Sequence, residues 1–190
     1  MYTIEDLKEI LKERLSKKRY IHSLNVADES RKLAKKWGEN QDKAYLAGLL
    51  HDICKDIPQA DQRVMVEKSK LSVTSVELLT PRLWHAIAGA WYTENILEIT
   101  DIEIIEAIRY HTVARAGMSR LEEIIYIADL ISIDRSYKDV ERMRKLAYTS
   151  LDKIMLEAVS FSIVDVVNKI SKIPSHTFEA YNQYTVVKNK

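Results

Sequence analysis

Four of the five histidines in this 190-residue chain, His22, His51, His85 and His111, stand beside apolar residues that should face a common core. Asp52 follows His51 directly. Asp129 lies between Ile127-Ala128 and Leu130-Ile131, with no Lys or Arg within four residues on either side. An ionised carboxylate among such neighbours needs a cation, and several buried imidazoles need one another or a metal. Taken singly, His22 or His85 reads as a hydrogen-bonded core histidine, and a His-Asp pair arises often by composition alone. The convergence of several such residues is what points to chemistry. Imidazole and carboxylate donors without thiolate suit iron, manganese or zinc, and suit magnesium or calcium poorly.

Around these residues stand charges that phosphate would use. Lys55 follows Asp52 by three residues, which points its ammonium toward the same place or simply places a cation at a helix C-terminus. Asp56 is a lesser candidate, as a general base or as support for a ligand. Arg109, Arg115 and Arg135 offer the bidentate fork that phosphate oxygens fit. Cys54 reads as packing, and as the sole cysteine it excludes an internal disulfide and agrees with a reducing compartment.

The elements that position these groups read as helices throughout. Only four glycines and three prolines punctuate the chain, and apolar residues recur at three- and four-residue spacing. Thr3 and Asp6 form a relative of the capping box ahead of a helix to about Leu15. A second helix, about Arg19 to Trp37, carries His22 inward and stops at Gly38. From Ala44 an apolar helix is expected to run until Pro58, with His51-Asp52 in its last turn. Pro81 opens a helix bearing His85, and Asp101 caps Ile102 to Tyr110, which delivers His111. Leu121 to Ser132 carries Asp129, and helices at about Val140 to Leu146 and Leu151 to Ile170 close the domain. The β-branched stretches Ile102 to Ile108 and Phe161 to Val167 keep helical spacing of their polar residues, so strands are rejected there.

The size fits one all-α domain of residues 1–190. With 46% apolar and 30% charged residues the chain has the composition of an ordinary globular protein. The net charge of +1 gives no general drive toward nucleic acid or anionic lipid, and no apolar stretch approaches a membrane span. The expected location is cytoplasmic.

The order His22, His51-Asp52, His85, His111, Asp129 resembles the HD superfamily of metal phosphohydrolases. Arg19-Tyr-Ile-His22, Ala47-Gly-Leu-Leu-His-Asp-Ile-Cys-Lys55, Leu83-Trp-His-Ala86, Arg109-Tyr-His-Thr112 and Tyr126-Ile-Ala-Asp-Leu-Ile131 look more narrowly like the bacterial YqeK family, over roughly Lys18 to Tyr184. That resemblance implies a single-domain HD-type helical bundle, with a catalytic core at about 18–135 and C-terminal helices at about 137–190 completing a nucleotide pocket. It implies a symmetrical diadenosine tetraphosphate hydrolase that holds iron, mononuclear or dinuclear, and yields two ADP. Manganese and zinc are the alternatives.

In the family pattern His22, His51, Asp52 and Asp129 bind one metal, and Asp52 bridges to a second site near His85 and His111. Two ions about 3.5–4 Å apart would activate a bridging hydroxide for attack at phosphorus; with one ion, His85 and His111 would contact the phosphates instead. Catalytic roles fall to Asp52, Lys55, His85 and His111. The nucleotide is expected to meet His22, Lys55, Asp56, His85, His111, Asp129, Arg135, Lys172, Pro174 and Thr177. Arg135 matches an arginine of the family motif, and the loop after His111 has Ala114 where the family pattern has glycine. His176, displaced from the family's closing histidine, is expected at the surface. Partners are a dinucleoside polyphosphate or purine nucleotide and, as one option, a second copy of the chain in a homodimer; nucleic acid and membrane are not expected. The alternatives are a phosphohydrolase acting on another nucleotide and a catalytically silent nucleotide-binding regulator.

Overall fold

The computed structural model describes residues 2–187, which form helices joined by turns with no strand among them. In chain order the helices are α1 (Ile4–Arg14), α2 (Lys17–Trp37), α3 (Gln41–Leu50), α4 (Gln59–Lys68), α5 (Ser75–Leu78), a 3₁₀ turn (Pro81–Leu83), α6 (Trp84–Asn95), α7 (Ile102–Tyr110), α8 (Arg120–Ile131), α9 (Val140–Ala147), α10 (Leu151–Asn168) and α11 (Ser175–Val187). Polar caps set their starts. Thr3 and Asp6 complete a capping box on α1, Asn40 and Asp101 cap α3 and α7, and Ser119 and Glu122 complete a second box on α8. Gly38 ends α2 at φ 71°, a conformation glycine adopts without steric cost.

α3 lies at the centre, packed against α2, α7 and α8. Ala44, Ala47, Leu49 and Leu50 are all fully buried on it, which explains an apolar helix with no polar face. Its approach to α2 is close. A Cβ on Gly48 would stand 2.7 Å from Ser30 Oγ and 3.0 Å from Ala27 Cα, so only glycine lets the two backbones meet there. α6 sits between α4 and α7, and α10 covers α8, α9 and α11.

The end of α3 departs from expectation. The helix stops at Leu50 and not at Pro58, and the chain passes into turns in which Ile53 N donates to Leu50 O and Lys55 N to Asp52 O. A continuing α-helix would separate neighbouring side chains by about 100°. The tighter turn aims both His51 and Asp52 inward. Three helices are absent from the periodicity reading. α4 buries only Gln62 and Val66, α5 is a single turn, and α11 follows Pro174, whose carbonyl accepts from Thr177 N and Phe178 N. The two β-branched stretches are helical, within α7 and α10.

One half-buried carboxyl outside the histidine row couples the fold to pH. Burial pushes Glu123, on α8, up from 4.5 to about 7, against a lowering by the Tyr184 hydroxyl, which donates to it at 2.5 Å. A value raised in the folded state means the protonated form stabilises the fold. That stabilisation is complete below about pH 4.5 and is lost as pH rises through 7, an upper limit of ~3 kcal/mol. Glu123→Gln keeps an acceptor for Tyr184 and removes the ionisation. The melting temperature of this variant should fall several degrees less than that of the parent between pH 5 and pH 8 in thermal denaturation.

Candidate metal centre and active site

Five separate segments deliver the site. α2 supplies His22, the turn after α3 supplies His51, Asp52 and Lys55, α6 supplies His85, the C-terminal cap of α7 is His111, and α8 supplies Asp129. The four imidazoles stand in a row, edge to face, with ring centroids 5.3 Å apart for His22 and His51, 4.9 Å for His51 and His111, and 5.3 Å for His111 and His85.

Each ring is held by Nδ1. His51 Nδ1 lies 2.7 Å from Gly48 O, His111 Nδ1 2.7 Å from Ile108 O, and His85 Nδ1 2.9 Å from Arg82 O, in each case the carbonyl three residues back. His22 Nδ1 lies 2.8 Å from the Asp134 carboxylate. An imidazole that donates through Nδ1 carries its lone pair on Nε2. All four Nε2 atoms face Asp52 or Asp129. His22 Nε2 is 2.9 Å and His51 Nε2 3.9 Å from Asp129 Oδ1, while His85 and His111 approach Asp52 Oδ1 to 3.3 and 3.6 Å and His51 approaches Asp52 Oδ2 to 3.4 Å.

Lone pairs facing carboxylates are acceptors facing acceptors. Among the described residues His51 Nε2 and Asp52 Oδ1 are buried with no hydrogen-bond partner, an arrangement that is costly unless a cation joins it. The donor atoms of His22, His51 and Asp129 lie within 4.8 Å of one another, as do those of His51, Asp52 and His111. Nitrogen and oxygen donors fixed by outer hydrogen bonds fit a divalent metal of the iron, manganese or zinc type.

The comparisons with known proteins agree with this geometry. The HD domain family model matches residues 19–134, more than half of the chain. The chain belongs to the HD domain family. The symmetrical bis(5'-nucleosyl)-tetraphosphatase of Bacillus subtilis is 33% identical over 172 residues, covering 90% of this chain and 92% of that protein. The enzyme of the same name from Staphylococcus aureus is 34% identical over 185 residues, covering 95% and 94%. A crystal structure of a predicted HD superfamily hydrolase involved in NAD metabolism, from Clostridium acetobutylicum, superposes with a TM-score of 0.93 at 33% identity over the whole of both chains. The HD domain and its His/Asp cluster together imply a divalent metal site.

The cations around the HD centre rest on its ligand candidates. Arg135 supplies the countercharge that no residue within four of Asp129 offers: its Nη2 pairs with Asp129 Oδ1 and its Nε donates to Asp129 O at 2.8 Å. Lys55 Nζ is 3.0 Å from His85 Nε2 and 3.9 Å from Asp52 Oδ1. Burial alone would push both aspartates up. Positive charge on the surrounding imidazoles, and on Arg135 beside Asp129, outweighs that and holds both well below the usual carboxylate range, the role a bound cation takes over once the rings are neutral. Burial also pushes His85 well below 6.5, with the Lys55 charge adding to it, and pulls Lys55 down from 10.5.

Several expected residues lie elsewhere. Asp56 does not join the cluster: it is exposed, and its carboxylate accepts from Ser16 N at 2.8 Å and Ser16 Oγ at 2.7 Å at the start of α2. Arg109 is fully buried, bonded to Ser72 O and Glu77 at 2.7 Å each, and Arg115 is held by Glu106 and Glu122. Neither is available to phosphate. His176 is not at the surface but largely covered, edge-on to Tyr110 at 5.5 Å and facing Glu77. Lys172, Pro174 and Thr177 line a cavity of about 300 Å³ with Lys55 and His85, and Thr177 Oγ1 also donates to Val113 O at 2.6 Å.

Two residues at the centre escaped the sequence reading. Arg19 Nη1 pairs with Asp52 Oδ2 at 2.7 Å; its signal was the three-residue spacing to His22 on one helix. Asp134 orients His22 and is itself held by Asn25 Nδ2 at 3.0 Å, with no signal beyond its nearness to Arg135. Asp134→Asn should weaken metal affinity about 10- to 100-fold, read by competition against a chelating dye.

Ala114, in the loop after His111, has φ 55° and is fully buried. A side chain in that left-handed region costs about 1–2 kcal/mol. Ala114→Gly should therefore raise the melting temperature by roughly 2–4 °C in a thermal scan.

Proposed function

We propose that this HD domain hydrolyses a bis(5'-nucleosyl) tetraphosphate symmetrically, giving two nucleoside diphosphates, and two ADP from diadenosine tetraphosphate. The observation that carries the reading is the row of four Nε2 atoms on two aspartates, rimmed by Arg19, Lys55 and Arg135. A water-activating centre lies beside cations suited to a polyphosphate chain. The two bacterial tetraphosphatases similar over nine-tenths of this chain support the substrate.

His22, His51 and Asp129 would hold one metal, and Asp52, placed between His51 on one oxygen and His85 and His111 on the other, would bridge to a second. We propose iron as the resident ion, with manganese or zinc tolerated by the same donors. The metal supplies positive charge at the phosphoryl oxygens and lowers the pKa of water at the site. The protein's own groups do the rest by position and charge. Asp134 and the three carbonyls at Gly48, Ile108 and Arg82 keep the Nδ1 protons in place, so every Nε2 keeps its lone pair toward the centre. Arg135 and Arg19 lie against the two aspartates and meet the phosphate chain from either side. Lys55, whose ammonium is destabilised by burial, gives a charge and a proton donor at the departing phosphate.

The test is the product pair. Metal-loaded protein incubated with diadenosine tetraphosphate should yield ADP alone by ion-exchange chromatography. ATP with AMP would contradict the position of the cut, and no turnover would favour another nucleotide or a silent regulator.

A further inference from the structure

Two cavities open along the imidazole row, one at His85 and the other at His111 and Asp129. The first is lined by Lys172 and Thr177 together with Lys55 and His85. The second, about 240 Å³, reaches His111, Asp129 and Arg135 and is also lined by Tyr126, Leu130 and Tyr137. Thr112, Phe161 and Ser162 form the wall between them and line both. Each cavity lies at or below the lower limit of ordinary ligand pockets, about 300–1,000 Å³, a size that suits half of a dinucleotide in each.

The second cavity has the character of a seat for a base. The rings of Tyr137 and Phe161 stand 4.8 Å apart, tilted by 32°, and make an aromatic wall. Tyr137 Oη is buried with no hydrogen-bond partner among the described residues, whereas the neighbouring Tyr126 hydroxyl is satisfied by Ser162 Oγ at 2.7 Å. A buried hydroxyl left unpaired costs about 1–3 kcal/mol, so a ligand that offers a ring nitrogen or a ribose hydroxyl there gains that bond. Arg135 stands at the inner end, where a phosphate attached to such a ligand would emerge.

We propose that this cavity binds the second nucleoside of the substrate, its base against Tyr137 and Phe161. The proposal rests on the tetraphosphatase reading and deepens it. A phosphate chain laid from His85 past His111 to Asp129 has a nucleoside seat at each end, with the ligand candidates His111 and Asp129 along it. The middle of the chain is then the part presented for cleavage. Placement of the cut follows from two seats flanking one centre and needs no ruler on a single side. The seats are chemically unlike, one rimmed by lysines and one walled by aromatic rings, although the substrate is symmetrical.

The experiment counts nucleotides. Metal-loaded protein dialysed to equilibrium against millimolar ADP should bind two ADP per chain. Tyr137→Ala should bind one, and its KM for diadenosine tetraphosphate should rise about tenfold with kcat within twofold of the parent, as loss of one stacked base implies. Tyr137→Phe, which keeps the ring, should still bind two, with a smaller rise in KM. If Tyr137→Ala does not fold, Leu130→Glu, at a half-buried position in the same cavity, closes it to a polyphosphate by like charge and should also bind one. One ADP per chain in the parent, or two in Tyr137→Ala, would overturn the proposal. Failure to make ADP from the tetraphosphate would instead overturn the functional reading, and the dialysis count would still decide whether the second seat exists.

Discussion

Replacing Asp52 by Asn is expected to lower tetraphosphate turnover by at least about 1,000-fold while leaving the helical fold intact. Among the described residues Asp52 is the one group that faces three of the four Nε2 atoms, with Oδ1 toward His85 and His111 and Oδ2 toward His51. An amide keeps the shape and removes the negative charge that pays for a cation at this depth. A 1,000-fold loss corresponds to about 4 kcal/mol of transition-state stabilisation, within the several kcal/mol a metal centre supplies at phosphorus. The fold should survive because the core of α3, α7 and α8 does not depend on this carboxylate, and a buried charge is removed. Circular dichroism and a turnover assay on one preparation check both halves. Comparable turnover in Asp52→Asn would remove Asp52 from the centre.

Stripping the metal with a chelator is expected to lower the melting temperature by roughly 10 °C. His51 Nε2 and Asp52 Oδ1 have no hydrogen-bond partner among the described residues, and the two aspartates are held ionised against their burial. A cation relieves both at once. At a metal concentration about 1,000 times its dissociation constant, binding stabilises the folded state by ~4 kcal/mol, and each kcal/mol moves the midpoint of a domain this size by about 2–4 °C. Differential scanning calorimetry before and after chelation, with re-addition of iron, manganese or zinc, measures the shift and its reversal. Re-addition should restore it. An unchanged midpoint after complete removal would mean that the cluster is self-satisfied.

The helices that carry the site were legible because their signals are local. Asp101 before an apolar run, Pro81 ahead of Trp84 and Gly38 after Trp37 act within one turn of chain. The inward faces of His22, His85 and Asp129 followed from periodicity. What was hidden depends on partners distant in sequence. Arg109 looked like a phosphate ligand until Glu77 and the Ser72 carbonyl, 32 and 37 residues away, enclosed it. Asp56 looked like a neighbour of Asp52 until the turn after Leu50 sent it to Ser16, 40 residues back. Asp134 reaches His22 across 112 residues, a contact no spacing announces. The end of α3 was misplaced for a related reason: proline marks where a helix must stop, but tertiary demand for two inward side chains stopped it earlier.

The most direct measurement is the metal content of protein purified without added metal, taken together with turnover of diadenosine tetraphosphate by the same sample. The expected result is one or two equivalents of a transition metal per chain, iron foremost, with ADP formation proportional to occupancy and both lost in Asp52→Asn. Full turnover by protein containing less than about a tenth of an equivalent of any transition metal would contradict a metal centre built on these four histidines and two aspartates.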